Sequence, residues 1–111
     1  MSDAAKSMVI RKLNDQLRIT LTGGKVMMTS GIAALSPETQ ARILAAVRGF
    51  TAFNKDNDPW GEHDFGSLDI DGERVFFKLD AYDHSLREGS PDPANPAVTV
   101  RVLTIMLADE Y

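Results

Sequence analysis

The sequence predicts an α+β fold: a single small domain over residues 1–111, with elements in the order α-β-α-β-β-α and a three-stranded, mainly antiparallel sheet packed against helices. Three observations predict this fold. Apolar residues recur at helical spacing near the start, a capped helix begins at Ser36, and two alternating segments flank an Asp71-Gly72 turn. A chain of 111 residues fits one domain and can bury a core without a disulfide or a metal.

The first helix is expected near residues 4–20, because four apolar side chains between Ile10 and Leu21 recur at spacings of three and four. The two glycines of the TGG segment end it, since glycine readily adopts the backbone angles found after a helix. A short strand over residues 25–29 follows.

The second helix is expected over residues 36–53. Ser36 suits the N-cap, Pro37 suits the first helical position, and Glu38 lies where the helix dipole favours an acid. Its apolar stripe faces the core.

The β-hairpin is centred on Asp71-Gly72, a favoured pair for a two-residue turn. With this pair at the turn, Ile70 lies opposite Glu73, and continuing the register places His63 opposite Asp80. Alternate pairs share a face of the sheet. One face is the expected core face: Leu68, Ile70, Val75, Phe77 and Leu79. The other, mixed face carries His63, Phe65, Ser67, Asp69, Arg74, Phe76, Lys78 and Asp80.

The final segment, residues 97–111, follows a connector with three prolines and fits two structures. Its alternating valines are typical of a strand, but its apolar residues also fit helical spacing. We expect a helix, because Asn95 is a good cap, Pro96 suits the first helical position, and the run is long for a buried strand. So apolar a helix should lie in the core.

Composition excludes several classes of protein. The net charge of −4 argues against binding a nucleic-acid backbone, which usually needs a basic patch. The absence of cysteine excludes a disulfide scaffold, a cysteine nucleophile and a thiolate metal site. No apolar run is long enough to span a membrane, and the first residues lack the apolar core of a signal peptide. We therefore expect a cytoplasmic protein.

A cluster of histidine and carboxylate residues is the candidate metal site. His63, Asp80 and Asp83 are the proposed ligands, and Glu62 could act as general base if a divalent metal activated water. Their spacing matches no established metal motif. The alternative is a polar turn in which His63 and Asp80 pair as a structural strut, and the sequence leaves both open.

The mixed face is the candidate contact surface. Its two phenylalanines could meet a protein partner, stack on single-stranded nucleic acid, or be covered by a helix of the same domain. An acidic rim would steer the surface to a basic patch. The residues assigned to partner binding are Trp60, Phe65, Phe76, Tyr82, Asp58, Glu62 and Asp69.

Two segments, NDPWGEHDFG (Asn57 to Gly66) and RVLTIMLADEY (Arg101 to Tyr111), carry a resemblance that extends from about Ile10 to the last residue. The chain resembles an uncharacterised bacterial domain-of-unknown-function family of small proteins, common in alphaproteobacteria and often encoded on plasmids and other mobile elements. The resemblance implies no reaction and no catalytic residue. It implies a compact accessory protein that binds host or plasmid machinery, including one that inhibits a defence system.

These observations favour a non-enzymatic interaction protein that occludes a site on a protein partner and needs no cofactor. The alternative is a metal-binding or metal-dependent hydrolytic domain that uses His63, Glu62 and Asp80. The oligomeric state is left open.

Overall fold

The computed structural model describes residues 2–111, which contain three α-helices and four strands. The elements, with two 3₁₀ turns left unlabelled, are α1 (Asp3–Thr20), β1 (Lys25–Met28), α2 (Ser30–Ala33), α3 (Pro37–Arg48), β2 (Phe65–Ile70), β3 (Glu73–Tyr82) and β4 (Val100–Leu107). The strands form one sheet in the order β1-β4-β3-β2, with β1 parallel to β4 and the other neighbours antiparallel. The predicted α+β class is confirmed, with four strands where three were expected.

The first two expected helices and the first strand are present, with differences in their bounds. The Ser36 side chain caps α3 by accepting the N–H of Thr39, and Pro37 lies in the first turn. The prediction extended this helix to residue 53, but α3 ends at Arg48. Gly49 is its C-cap, and the carbonyls of Val47 and Arg48 accept hydrogen bonds from the buried Arg18 side chain. The short α2 was not predicted.

The hairpin register is confirmed from Ile70–Glu73 to Phe65–Lys78. Both turn residues have positive φ, 52° for Asp71 and 81° for Gly72, as a tight turn of this type requires. Gly66 is needed for a different reason: a Cβ there would lie within 2.2 Å of the Phe77 ring. The glycine therefore lets the largest core side chain lie across β2.

The prediction of a C-terminal helix is wrong, because residues 100–107 form β4, a central strand of the sheet. Asn95 does cap a turn, accepting the N–H of Ala97 through its side chain, but only the 3₁₀ turn Pro96–Val98 follows. Side chains on both faces of β4 are buried, including Val102 and Met106 at 6% and 3% exposed, so the strand appears as a continuous apolar run. That is why its sequence resembles a buried helix.

The core lies between the three helices and one face of the sheet. Its fully buried side chains come from both layers: Leu17, Ile32, Ile43, Val47, Val75, Phe77, Leu103 and Ile105. The hairpin side chains assigned to the core face all point to this layer, and Leu68 and Ile70 are only partly buried since β2 is an edge strand. None of the helices that the structure describes is long and apolar enough to cross a membrane.

Candidate functional site

Among residues 2–111, α1, α2 and α3 all pack on the core face of the sheet, and we call the opposite face the open face. The pairing of β2, β3, β4 and β1 places these side chains on it: Lys25, Met27, Phe65, Ser67, Asp69, Arg74, Phe76, Lys78, Asp80, Tyr82, Val100, Val102, Thr104 and Met106. This is the mixed face of the sequence prediction, extended across two more strands. The possibility that a helix of the same domain covers it is therefore wrong for the residues described.

Three aromatic rings form a cluster on the open face. The centroids of Phe65 and Phe76 lie 5.1 Å apart, and the Tyr111 ring meets both edge-on at 5.9 and 5.7 Å. Tyr111 is 76% exposed, whereas both phenylalanines are half-buried. The cluster is therefore an apolar centre that solvent still reaches. Sequence reasoning missed Tyr111, because no local pattern indicates that it folds back onto β3.

Two ion pairs flank this aromatic cluster. Arg74 Nε lies 2.6 Å from Asp69 Oδ1, and Lys78 Nζ lies 3.0 Å from Asp80 Oδ2. The hydrogen bond to Asp80 raises the pKa of Lys78, and the nearby Tyr82 contributes in the same direction. The charged side chains beside the cluster are thus joined in ion pairs. Tyr82 lies on the same face as the cluster.

The loop before β2 holds Trp60 and Asp58 away from the open face. The loop packs on α1, where Arg11 donates to the carbonyl of Gly61 and Asn14 donates to the carbonyl of Glu62. Trp60 is 74% exposed and makes no contact with another aromatic ring in the described part of the chain. It therefore belongs to a different surface from Phe65 and Phe76.

Asp58, which the sequence assigned to the contact rim, is buried and shapes the loop instead. Its carboxylate accepts the backbone N–H groups of Glu62 and His63 at 3.1 and 3.2 Å. Such a side chain organises a turn and presents no charge to a partner.

His63 does not pair with Asp80, and this part of the predicted register is wrong. The ladder ends at Asp64, whose carbonyl accepts the N–H of Leu79, and His63 turns away with a φ of 54°. Its Nδ1 lies 2.9 Å from Asp15 Oδ1, and its ring stacks on Phe53 with centroids 3.9 Å apart. A left-handed residue breaks strand alternation, which sequence pattern alone does not indicate.

The His63–Asp15 pair borders a cleft of about 360 Å³ between the ends of α1 and α3, lined in part by Arg18, Arg48 and Phe53. The second ring nitrogen, Nε2, lies 3.7 Å from Asp58 Oδ2. His63 therefore joins the loop to α1 through its Nδ1, whereas Nε2 is too far from Asp58 for a hydrogen bond.

Glu62, Asp64 and Asp80 line a smaller cleft of about 200 Å³ with Arg101. Burial raises the pKa of both Glu62 and Asp64, and their mutual proximity adds to the shift of Glu62. Arg101 is 3% exposed and donates to Asn14 Oδ1 at 2.7 Å. Burial lowers the pKa of Arg101, against the opposing effect of Glu62.

The proposed metal ligands are not brought together. His63 binds Asp15, Asp80 pairs with Lys78, and Asp83 accepts from the Ser85 hydroxyl at 2.7 Å. Across residues 2–111, no group of three or more His, Asp or Glu side chains has the arrangement of a metal site.

The fold is a two-layer α+β domain in which α1, α2 and α3 lie on one face of the sheet and the open face carries none of them. Residues 28–110 match the sequence model of a family described as "Protein of unknown function (DUF3768)", and the chain belongs to this family. The resemblance to an uncharacterised family is confirmed at that level. No curated protein and no solved structure shows significant similarity to the chain. The matched segment contains β2, β3 and β4 but not α1.

Proposed function

We propose that this protein is a non-enzymatic protein-binding domain and that the open face is its contact surface. The observation that carries the proposal is the cluster of the exposed Tyr111 with the half-buried Phe65 and Phe76, on the sheet face opposite the three helices. Three rings in mutual contact supply rigid apolar area at little cost in side-chain entropy.

The surroundings of the cluster fit the anatomy of a protein contact. Interfaces have an apolar centre enriched in aromatic residues and a polar rim that excludes water. The pairs Asp69–Arg74 and Lys78–Asp80 provide such a rim. Because these charges are already paired, a partner can cover them without leaving a lone buried charge.

The charge of the chain indicates the kind of partner. With a net charge of −4, the protein is attracted to a basic surface, and such attraction raises the rate of association more than the final affinity. The proposed partner is therefore a protein with an apolar patch bordered by lysine or arginine. Covering a working site on host or plasmid machinery would inhibit it by occlusion.

The test compares the wild-type protein with Phe76→Ala and Tyr111→Ala as baits in a lysate of the source cells. Trp60→Ala is the matched control for Tyr111→Ala, because Trp60 is 74% exposed, Tyr111 is 76% exposed, and Trp60 lies on another surface. A protein enriched by wild type and by Trp60→Ala, but not by either cluster variant, is then purified and its Kd measured. Loss of a central aromatic anchor should weaken binding by about 2 kcal/mol, or roughly 30-fold.

Two results would overturn the proposal: enrichment that depends on Trp60 alone, or equal affinity of the purified partner for wild type and the cluster variants. Thermal unfolding of each bait shows whether a lost interaction reflects a lost fold.

The alternative, a metal-dependent hydrolytic domain, has no observation in its favour. Its proposed ligands His63, Asp80 and Asp83 each bond to a different group. Glu62 and Asp80 share a cleft, but Arg101 lines that cleft too and would repel a cation.

A further inference from the structure

The outer edge of β1 has backbone groups without a partner. Thr29 N–H donates to the carbonyl of Ile105, so by the alternation of a parallel ladder Lys25, Met27 and Thr29 bond to β4. Val26 and Met28 therefore direct their N–H and C=O groups away from the sheet. Outside the β1–β4 ladder, neither residue takes part in a backbone hydrogen bond in the described chain.

This edge is also apolar and weakly protected. Val26 is 37% exposed and Met27 is 56% exposed. Proteins usually blunt such edges with charge, proline or a bulge. The β2 edge carries the exposed Asp69, whereas Lys25, at the first position, is the only charged residue of β1.

We propose that the β1 edge binds a second copy of the chain, with the two β1 strands antiparallel and Met27 on the two-fold axis. In this register Val26 of one copy exchanges backbone hydrogen bonds with Met28 of the other, and the two Met27 side chains meet on the open face. Each outward-facing backbone group then has a partner, and the residues in the centre of the contact are all apolar.

Charge complementarity favours a second copy as the occupant. The same register places Lys25 opposite Thr29 of the other copy, with both side chains on the open face. Thr29 Oγ1 donates to Glu110 Oε1 at 2.6 Å, and the N–H groups of Gly31 and Leu107 hold the same carboxylate. Lys25 has no ion-pair partner in its own chain among residues 2–111. Pairing thus brings a free ammonium group to a fixed carboxylate, twice by symmetry.

Small residues lie at both ends of the contact. Gly24 and Gly23 of one chain lie opposite Ser30 and Gly31 of the other in this register. The contact is nevertheless short, since β1 has four residues. It falls at the small end of specific interfaces, and we expect a Kd on the order of 10–100 µM.

The test is sedimentation equilibrium of the purified protein at concentrations on both sides of that Kd. The variants are Met27→Asp, which sets two carboxylates face to face, and Val26→Pro, which removes an outward N–H but no bond to β4. Met8→Asp is the matched control, because Met8 is 49% exposed on α1. We expect dimers of wild type and Met8→Asp, and at least tenfold weaker association of the two β1 variants. Circular dichroism checks that each variant is folded.

A wild-type protein that stays monomeric throughout this range overturns the proposal. So does a dimer that survives both β1 variants, or one that is lost in Phe76→Ala and kept in Met27→Asp, since that dimer would use the open face. A further variant, Lys25→Glu, should weaken the dimer several-fold at low salt and less at high salt.

Discussion

Replacing Arg18 with methionine should destabilise the fold more than any exposed arginine substitution. The side chain is 3% exposed, and its Nη1 donates to the carbonyls of Val47, Arg48 and Phe50 at 3.0, 3.2 and 3.0 Å. Its Nη2 lies 3.0 Å from Asp15 Oδ1. A single cation therefore binds the C-terminal end of α3 and joins it to α1.

The magnitude follows from what methionine leaves behind. Methionine fills most of the apolar volume but donates no hydrogen bond, so the carbonyl of Val47 loses a buried donor and those of Arg48 and Phe50 lose partly buried ones. Each unsatisfied buried group costs about 1–3 kcal/mol, and a partly buried carbonyl costs less because water reaches it. The Asp15 pair adds little, since that carboxylate is 28% exposed to water. We expect a loss of about 3–5 kcal/mol from the free energy of unfolding.

Urea unfolding followed by circular dichroism measures this loss. For an m value of about 1.5–2 kcal/mol/M, the midpoint should fall by roughly 2 M with an unchanged slope. Arg18→Lys keeps the charge but not the planar donors, so its midpoint should lie between those of wild type and Arg18→Met. Arg74→Met is the control, because its ion pair with Asp69 is exposed and its loss should leave the midpoint unchanged. A midpoint for Arg18→Met within about 0.5 M of wild type would refute the reasoning.

Three further outcomes are expected. His63→Ala should lower the free energy of unfolding by about 1–3 kcal/mol, because it loses the stack on Phe53 and the hydrogen bond to Asp15. His63→Gly should be about 1 kcal/mol more stable than His63→Ala, because glycine tolerates a φ of 54°. Urea unfolding measures both differences. Burial raises the pKa of Asp64, so the ionised carboxylate lowers the stability of the fold as the pH rises above 3.8. Asp64→Asn should therefore raise the thermal midpoint at pH 7 but not below pH 3.8. The exposed control Asp56→Asn should show no such difference between the two pH values. Zinc, manganese, magnesium and calcium should leave the thermal midpoint unchanged, and a shift of several degrees with one of them would revive the metal alternative.

The hairpin could be predicted because its information is local. Asp71-Gly72 sets the turn, and the turn sets every pair up to Phe65–Lys78. The prediction of His63 failed where local information stops: its partner, Asp15, lies 48 residues earlier on another element. Nothing in the Glu62-His63-Asp64 sequence specifies which residue leaves the strand.

The strand β4 shows a different limit. Periodicity distinguishes a half-buried strand from an amphipathic helix, but β4 lies between β1 and β3, and even Val102 and Met106 on the open face are 6% and 3% exposed. The polar half of the pattern is therefore missing. What places the strand there is pairing with residues far away in sequence, which single-sequence reasoning does not contain.

The two proposals place the contact surface and the self-association edge at opposite ends of the same sheet. The aromatic cluster lies on β2 and β3, and the proposed two-fold axis lies beside β1. With neighbouring strands about 4.8 Å apart, a dimer would carry two clusters roughly 30 Å apart on one continuous eight-stranded face. A partner with two such sites at that spacing would be bound through both, and the second contact would add affinity without any new residue. A weak dimer is sufficient for this, because a divalent partner holds the two copies together as they bind. The open face and the β1 edge would then act together: the open face would bind the partner, and the β1 edge would join two copies of the sheet.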